Sequence, residues 1–344
     1  MTRIGIVGLG FMGMVHYLSY QKIPGAKVVA IATREPERRA GDWRAIKGNF
    51  GPPGEQVDLS GIATYETLEE MLAGTDVDLV DLTLPPADHA WGAIAALEAG
   101  KAVFCEKPMA LRVELAKQME AAAIAAGRPL MIGHVLPFFP EYAWARQVIA
   151  SGQYGKLLGG AFKRVISEPT WLTHYWDPER VGGPMLDLHI HDAHFIRLLF
   201  GMPTSVSTTG RERKGLAQFW HSQFRFASGA VVEATSGTID QQGRPFLHGF
   251  EIHLERATLV FEFGVLGGEG RYLCPPTLIA DDGAEQVSLP GGDPMDAFVT
   301  ELTEVVRSVE NGATSDILGA ELALDAMRLC EWQAKSLAVT RDIG

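Results

Sequence analysis

The sequence predicts an α/β protein whose first domain is built on a doubly wound parallel sheet. Three observations support this prediction. A glycine-rich turn directly follows the first apolar segment, strand-like and helix-like segments alternate through the first third of the chain, and 344 residues exceed the size of one ordinary hydrophobic core. We therefore expect two domains, one over residues 1–132 and a second over residues 133–344.

The composition limits the class of protein. The chain is 47% hydrophobic and 21% charged, has a formal net charge of −12 and contains no apolar run of the length that a bilayer span requires. An acidic chain without Lys/Arg-rich runs argues against a nucleic-acid partner. Three cysteines without C-x-x-C spacing are typical of reduced thiols, and the N-terminus enters a strand pattern at once. We expect a cytoplasmic protein with no nucleic-acid and no membrane partner.

The first predicted strand, residues 4–7, leads into a turn with G-x-G-x-x-G spacing. The first glycine permits the tight turn, the second lets the backbone approach a pyrophosphate, and the third lets helix and strand pack closely. The amides at the start of the following helix would also face the phosphates. This turn predicts a Rossmann dinucleotide site that includes Gly8, Gly10, Phe11, Met12 and Gly13.

The cofactor preference depends on the residues after the second predicted strand, which ends at Ala32. Where an acidic residue would bind the adenosine ribose, this chain has Thr33 and Arg34. A hydroxyl and a guanidinium can bind a 2′-phosphate, which a carboxylate would repel. We therefore expect NADP rather than NAD; the alternative is that Arg34 is a solvated loop residue, as in many NAD enzymes.

Strands and helices continue to alternate beyond this point. Further strands are predicted at residues 78–84, 102–106 and 130–134, and helices around 66–73, 87–99 and 110–126. Ligands of such sheets bind at the carboxyl ends of the strands. The expected cofactor contacts there are Thr83, Pro85, His89, Glu106 and Lys107.

The segment LDLHIHDAH, residues 186–194, contains three histidines and two aspartates. An H-x-H pair with carboxylates could bind zinc or iron, or the same residues could be a general base and its partner. The segment's length and the closing Gly201 favour a helix, on which Asp187, His191 and His194 share a face and His189 points away. A helix divides the apparent metal cluster, so we expect no bound metal.

Together these segments resemble the glucose-fructose oxidoreductase / inositol dehydrogenase (Gfo/Idh/MocA) family. The resemblance rests on four segments in the family's order: GIVGLGFMG, LTLPPADHAWGAIAALEAGKAVFCEKPMA, GGPMLDLHIHD and DILGAELALDAMRLCEWQAKSLA. It implies an N-terminal Rossmann domain and a C-terminal α+β domain with an open, mostly antiparallel sheet that commonly forms oligomer contacts. It also implies a catalytic group made of Lys107, Asp187 and His191.

The physical roles of this group follow from its chemistry. His191 can accept the proton of a substrate hydroxyl as hydride leaves its carbon, because imidazole titrates near neutral pH. Asp187 would orient that ring, and Lys107 would bind the reacting oxygen. The implied activity is NAD(P)-dependent hydride transfer to or from a CH–OH carbon of a sugar, inositol or related polyol. Glycoside cleavage with tightly held NAD and non-enzymatic nucleotide sensing are the alternatives within the family.

The segment SEPTWLTHYWDPERVGG, just before the catalytic residues, suits a polyhydroxylated ring, because it mixes aromatic rings with polar groups. The expected substrate contacts are Trp171, His174 and Trp176, with His194 from the catalytic segment. The alternative is a structural loop whose aromatic residues fill space. For His189 we expect packing or support of its neighbours.

The second domain offers several strand-like segments, among them LAQFWHSQFRF. A sheet face exposing Trp220, Phe224 and Phe226 would need covering by another subunit, so we expect a homodimer or homotetramer formed through this sheet. The alternative is that these rings pack under the domain's own helices.

Overall fold

A computed structural model describes residues 1–170, 172, 174–290 and 293–338. Two compact units are present: residues 1–139 with 293–324, and residues 140–290 with 325–338. Thus α8 (Pro294–Asn311) lies in the first unit, although a division at residue 132 would place it in the second. The reason is its apolar stripe: Met295, Phe298, Leu302 and Val305 join the first unit's core at helical spacing.

The first unit contains a six-stranded parallel sheet with the strand order β3-β2-β1-β4-β5-β6. The strands are β1 (Thr2–Val7), β2 (Ala26–Ala32), β3 (Ala63–Tyr65), β4 (Leu79–Leu82), β5 (Ala102–Glu106) and β6 (Leu130–Gly133). The helices besides α8 are α1 (Phe11–Tyr20), α2 (Pro36–Arg39), α3 (Leu68–Gly74), α4 (His89–Glu98) and α5 (Val113–Ala126). The predicted doubly wound sheet is confirmed, and its order changes direction between β1 and β4, where such folds bind ligands.

Local sequence explains where these helices begin and end. At the start of α3, the Thr67 hydroxyl accepts a hydrogen bond from the backbone amide of Glu70. At the start of α8, the Asp293 carboxylate accepts a hydrogen bond from the backbone amide of Met295. Gly127 ends α5 in the left-handed conformation at φ 59°, which glycine adopts without steric cost.

The second unit contains an eight-stranded sheet in the order β14-β13-β12-β11-β7-β10-β9-β8. Its strands are β7 (Leu157–Ser167), β8 (Ser205–Arg213), β9 (Leu216–Arg225), β10 (Val231–Ile239), β11 (Phe246–Leu254), β12 (Thr258–Leu266), β13 (Glu269–Ala280) and β14 (Gly283–Gln286). Only the β7–β10 pairing is parallel among those described. The mostly antiparallel sheet is therefore confirmed. The accompanying helices are α6 (Pro140–Ala150), a π-helical turn (Met185–His189), α7 (Ile190–Phe200) and α9 (Ala320–Ala338), which begins in the first unit.

Trp220 and Phe224 on β9 and Phe226 directly after it do not form an exposed face, so that expectation was wrong. Trp220 and Phe224 are 0% exposed and Phe226 is 6% exposed within the single chain. The Trp220 ring packs edge-on against His189 at 5.5 Å, and Phe226 lies beside Phe200 at 5.5 Å. The rings are buried because their side of the sheet faces the helical segment 185–200.

No helix among the described residues is both long enough and apolar enough to cross a membrane.

Candidate active site

The turn after β1 leaves open space where a dinucleotide would lie. Gly8 has φ +91°, which favours glycine, and the Thr83 hydroxyl donates a hydrogen bond to its carbonyl oxygen. A Cβ on Gly13 would collide with that same carbonyl, so helix and strand need glycine there. A Cβ on Gly10, in contrast, would meet no protein atom within 4 Å.

The first turn of α1 is free of competing side chains. Gly10 is its N-cap, no side chain caps the helix, and the first turn contains no acidic residue. The leading amides, including those of Phe11 and Met12, therefore have no partner within the helix and are available to an anion. This helix end and the open space at Gly10 fit the pyrophosphate of a dinucleotide.

The turn after β2 includes a carboxylate, Glu35, that was not among the expected cofactor contacts. Thr33 is buried, and its hydroxyl donates a 2.6 Å hydrogen bond to Glu35. That hydrogen bond is the main reason why the pKa of Glu35 is lowered. The expected phosphate ligands thus include a hydroxyl already bound to an anion. The signal was Glu35 itself, two residues beyond Thr33 in the same turn.

Three arginines, Arg34, Arg38 and Arg39, lie in this turn or on the short helix α2 that follows it. Arg34 is exposed and lies 3.7 Å from Asp88, and Arg38 donates a 2.7 Å hydrogen bond to the carbonyl of Leu9 in the glycine turn. Arg39 donates to the carbonyl of Thr33. Arg34 therefore has the most exposed of these guanidinium groups for contact with a ligand.

His89 joins two turns instead of facing the cofactor crevice, contrary to expectation. Its ring nitrogens each lie 2.8 Å from a backbone carbonyl, that of Leu84 after β4 and that of Pro108 after β5. The side chain is 1% exposed, and burial lowers its pKa. Because both ring nitrogens face backbone carbonyls, the ring is not directed at a cofactor. Pro85, in the same turn, is exposed.

The turn after β5 places Lys107 at the carboxyl edge of the parallel sheet. Glu106 is 7% exposed, and its Oε2 accepts the backbone amide of Lys107 at 3.1 Å. Glu106 thus fixes the backbone of the residue that follows it and is itself almost inaccessible to a cofactor.

In the second unit, the histidine segment 186–194 lies on the π-helical turn and on α7, which expose some of its ionisable side chains and bury the others. Asp187 and His191 are partly exposed, whereas His189, Asp192 and His194 are 0%, 1% and 0% exposed. The predicted helix is present, with one π-helical turn at its start. Since no part of the His194 ring reaches solvent, its position does not fit the expected substrate contact.

His189 has a packing role. Its Nδ1 lies 2.8 Å from the Ser236 hydroxyl on β10, and burial lowers the pKa of the ring to about 4. The imidazole is therefore neutral at physiological pH. Sequence reasoning missed the neighbouring ion pair, in which Arg164 on β7 donates to both carboxylate oxygens of Asp192, at 2.6 and 3.1 Å.

The loop before α7 holds the remaining expected substrate contacts. Trp176 donates a 2.7 Å hydrogen bond to Glu168, and the Arg213 guanidinium lies 5.0 Å from its ring centre. His174 is exposed, and Trp171 lies outside the described residues. Tyr175, which was not among the expected contacts, is 1% exposed, and burial together with the charges of Asp187 and Glu168 raises its pKa.

Within the described ranges, no three His, Cys, Asp or Glu side chains are grouped as metal ligands would be.

Comparison with known proteins decides the family. A profile of the oxidoreductase family with an NAD-binding Rossmann fold (GFO/IDH/MocA) matches residues 2–134, and a profile of the GFO/IDH/MocA C-terminal domain matches residues 142–260. The chain belongs to the GFO/IDH/MocA oxidoreductases. This confirms the family expected from the sequence and the class of enzyme, and it gives the first unit an NAD(P)-binding Rossmann fold.

Several relatives of this GFO/IDH/MocA protein carry the names of enzymes that act on sugars or inositols. A 1,5-anhydro-D-fructose reductase of Ensifer adhaerens is 26% identical over 76% of this chain and 75% of the relative. An inositol 2-dehydrogenase of Rhizobium meliloti (strain 1021) is 25% identical over 100% of this chain and 99% of the relative. The structure of a levoglucosan dehydrogenase in complex with NADH and levoglucosan has the same fold, with a TM-score of 0.77 at 22% identity over 97% of this chain and 98% of the other.

Proposed function

We propose that this protein transfers hydride between the C4 atom of a nicotinamide dinucleotide and a CH–OH or C=O carbon of a sugar, inositol or related polyol. The main support is the division of the histidine segment. Among its five ionisable side chains, only Asp187 and His191 keep solvent exposure, as an acid–base pair must do to meet a substrate.

The chain's own residues supply the remaining chemistry. Nicotinamide, when bound, provides the hydride chemistry. His191 holds the proton that leaves or joins the substrate oxygen, and Asp187 orients the imidazole and stabilises its charged form. Lys107 binds the reacting oxygen and stabilises the charge that develops on it. The amides at the start of α1 bind the pyrophosphate.

Turnover assays with a panel of sugars and polyols test the activity directly. Reduced nicotinamide is followed by its absorbance with NAD and with NADP, and a chromogenic glycoside without added cofactor is a separate arm. We expect oxidation of at least one cyclic polyol or sugar and no release of the chromogen. Release of the chromogen without cofactor would favour glycoside cleavage over net redox.

Substitution of His191 tests its role as the general acid–base. His191→Asn is expected to lower kcat by about 10²–10⁴-fold, the usual size of this contribution, while dinucleotide affinity stays unchanged. Arg307→Gln is the control, because that side chain lies on α8 and is 67% exposed. Turnover of His191→Asn within the range of the control would refute the assignment.

The proposed cofactor preference is NADP, with Arg34 as the ligand of the 2′-phosphate. Support comes from the exposure of Arg34, whose side chain is 77% exposed. The Glu35 carboxylate, held by Thr33 and by Arg38 at 3.7 Å, opposes a 2′-phosphate. Dissociation constants for both cofactors decide the question. Arg34→Ala should weaken NADP binding about tenfold or more and leave NAD binding unchanged, whereas Glu35→Gln should strengthen NADP binding. A wild-type preference for NAD would overturn this part of the proposal.

A further inference from the structure

Four ionisable side chains meet in the interior of the first unit, and the proposed mechanism uses none of them directly. His16 lies on α1, Asp81 on β4, Glu106 at the end of β5 and Glu301 on α8. Their exposed fractions are 0%, 0%, 7% and 0%. Burying so many ionisable groups costs stability compared with apolar residues of similar volume, so the group needs a specific explanation.

The His16 ring lies between two carboxylates. Its Nδ1 is 2.9 Å from Asp81 Oδ2, and its Nε2 is 3.2 Å from Glu106 Oε1. Burial opposes the charged ring, but the two carboxylates outweigh burial and raise the pKa of His16 to about 10. His16 is therefore an imidazolium that joins β4 to β5.

The other polar groups packed around His16 are neutral. Burial, reinforced by Glu106, raises the pKa of Glu301 well above its usual range, and its carboxyl oxygens have no hydrogen-bond partner among the described residues. Burial and the charge of Asp81 likewise raise the pKa of the Tyr20 hydroxyl. The rings of Phe104 on β5 and Phe298 on α8 also lie against the His16 ring. One cation thus faces two carboxylates.

Glu106 connects His16 to the turn after β5 through the two oxygens of its carboxylate. Its Oε1 faces His16, while its Oε2 accepts the backbone amide of Lys107 at 3.1 Å. Gly133 on β6 closes the remaining side, since a Cβ there would lie 3.0 Å from Oε1. The Glu106 carboxylate therefore has little freedom to move.

We propose that His16 is a positioning residue: held by Asp81, its ring fixes Glu106 and, through the amide of Lys107, the turn that presents this lysine. The proposal rests on the proposed function for the role of Lys107. Because α1 also offers its first turn to the cofactor phosphates, a single helix sets both the phosphate site and the turn that holds the lysine. The ion pairs thus align two parts of one site.

Two isosteric variants separate positioning from general support of the core. The Asn amide nitrogen lies close to the place of Nδ1, so His16→Asn keeps a donor for Asp81 and loses the contact with Glu106. The Gln amide nitrogen lies close to the place of Nε2, so His16→Gln does the opposite. We expect similar melting temperatures for the two variants. The kcat of the Asn variant should fall about 10–100-fold, the size typical of lost support for an active-site group.

The Gln variant should keep at least about ten times the kcat of the Asn variant, with the KM for the dinucleotide within about threefold of wild type in both, because the phosphate site is intact. Equal turnover in the two variants, or loss that simply follows melting temperature, overturns the proposal. Glu106→Gln should lower kcat as the Asn variant does.

A nuclear magnetic resonance titration of the His16 ring gives a readout that does not require turnover. In wild type the ring should stay charged to about pH 10, and in Glu106→Gln its pKa should fall by about one pH unit or more. An unchanged pKa means that Glu106 and His16 are not linked and overturns the proposal, even if a His16 variant fails to fold. If wild-type protein oxidises no polyol, the proposed function fails, and this titration still decides the link.

Discussion

At the scale of single residues, the second unit depends on an ion pair that water does not reach. Arg164 and Asp192 have side chains that are 5% and 1% exposed, and the guanidinium donates to both carboxylate oxygens. Such a pair adds little net stability compared with apolar residues. Removal of one partner, however, leaves an uncompensated charge in the interior.

We therefore predict that Asp192→Ala lowers the free energy of unfolding by about 3–5 kcal/mol. The control is Glu304→Ala, which removes a pair with the exposed side chain of Arg307 and should cost less than about 1 kcal/mol. Urea denaturation measures both. The double variant Arg164→Met/Asp192→Leu should recover much of the loss, and a cost below about 1 kcal/mol for Asp192→Ala would contradict the prediction.

A second prediction at this scale concerns His189 and the pH dependence of the free energy of unfolding. Its pKa is about 4 in the folded protein, against an ordinary value of 6.5. As the pH falls below 6.5, the unfolded chain takes up the proton first, so stability is lost between pH 6.5 and about 4. The slope is at most about 1.4 kcal/mol per pH unit.

His189→Asn should flatten this acid dependence, because an amide nitrogen near the place of Nδ1 can still meet the Ser236 hydroxyl without titrating. Chemical denaturation at pH 4.5, 5.5 and 7 compares the variant with wild type. His174→Asn is the control, since that side chain is exposed and does not lie on the sheet. A variant whose stability still falls with acid as steeply as that of wild type would contradict the assignment.

At the scale of elements, the glycine turn after β1 must let helix and strand pack closely and must leave space for a ligand. Substitutions of different glycines can test these two requirements separately. Gly13 is needed for packing, because a Cβ there meets the Gly8 carbonyl, and Gly10 is needed only where a ligand would lie. We predict that Gly10→Ala retains the wild-type melting temperature and weakens dinucleotide binding about tenfold or more. Gly13→Ala should lower the melting temperature by several degrees.

Calorimetric titration with the dinucleotide, together with thermal melting, checks both glycine variants. Gly243→Ala, in a loop of the second unit with no positive φ, is expected to change neither quantity. Unchanged dinucleotide affinity in Gly10→Ala would mean that the pyrophosphate does not approach this residue.

The elements that the sequence predicted best are those with a strong local signal. The strand predicted at residues 102–106 is β5, and the second strand ends at Ala32 as predicted, because parallel strands buried on both faces are short apolar runs. The unit to which α8 belongs could not be predicted. An amphipathic pattern shows that a helix has an apolar face but not which core that face meets.

The site shows the same limit. The glycine spacing and the histidine segment are local motifs that can be recognised in the sequence. The partners of His16, in contrast, are 65 and 90 residues away and meet it only in the folded sheet. One local signal was available: Asp81 is an acidic residue inside the strand predicted at residues 78–84, and strands of such parallel sheets are buried on both faces. A buried acid requires a partner, and sequence alone does not say which residue it is.

At the scale of the whole molecule, one face of the eight-stranded sheet packs against α7, and the opposite, outer face is the surface that another subunit would cover. Phe162 and Arg164 on β7 point to α7, where they meet Phe195 and Asp192. Ala161, which precedes Phe162 and points to the opposite face, is only partly buried. Its neighbours in register are Glu233 on β10 and Glu251 on β11, so this face is not the aromatic surface that the sequence suggested.

We still expect a homodimer or homotetramer formed through this outer face, and Ala161→Arg tests it. Glu233 and Glu251 flank the new guanidinium, so the variant should still fold, while the added bulk prevents a second sheet from packing closely. Its melting temperature should fall only by what subunit association contributes. Light scattering after size-exclusion chromatography should show the monomer mass for Ala161→Arg and a multiple of it for wild type. Ile124→Arg, on α5 at a site 77% exposed, should keep the wild-type mass. An oligomer that survives Ala161→Arg must use another surface, because an arginine at the centre of the sheet blocks this one.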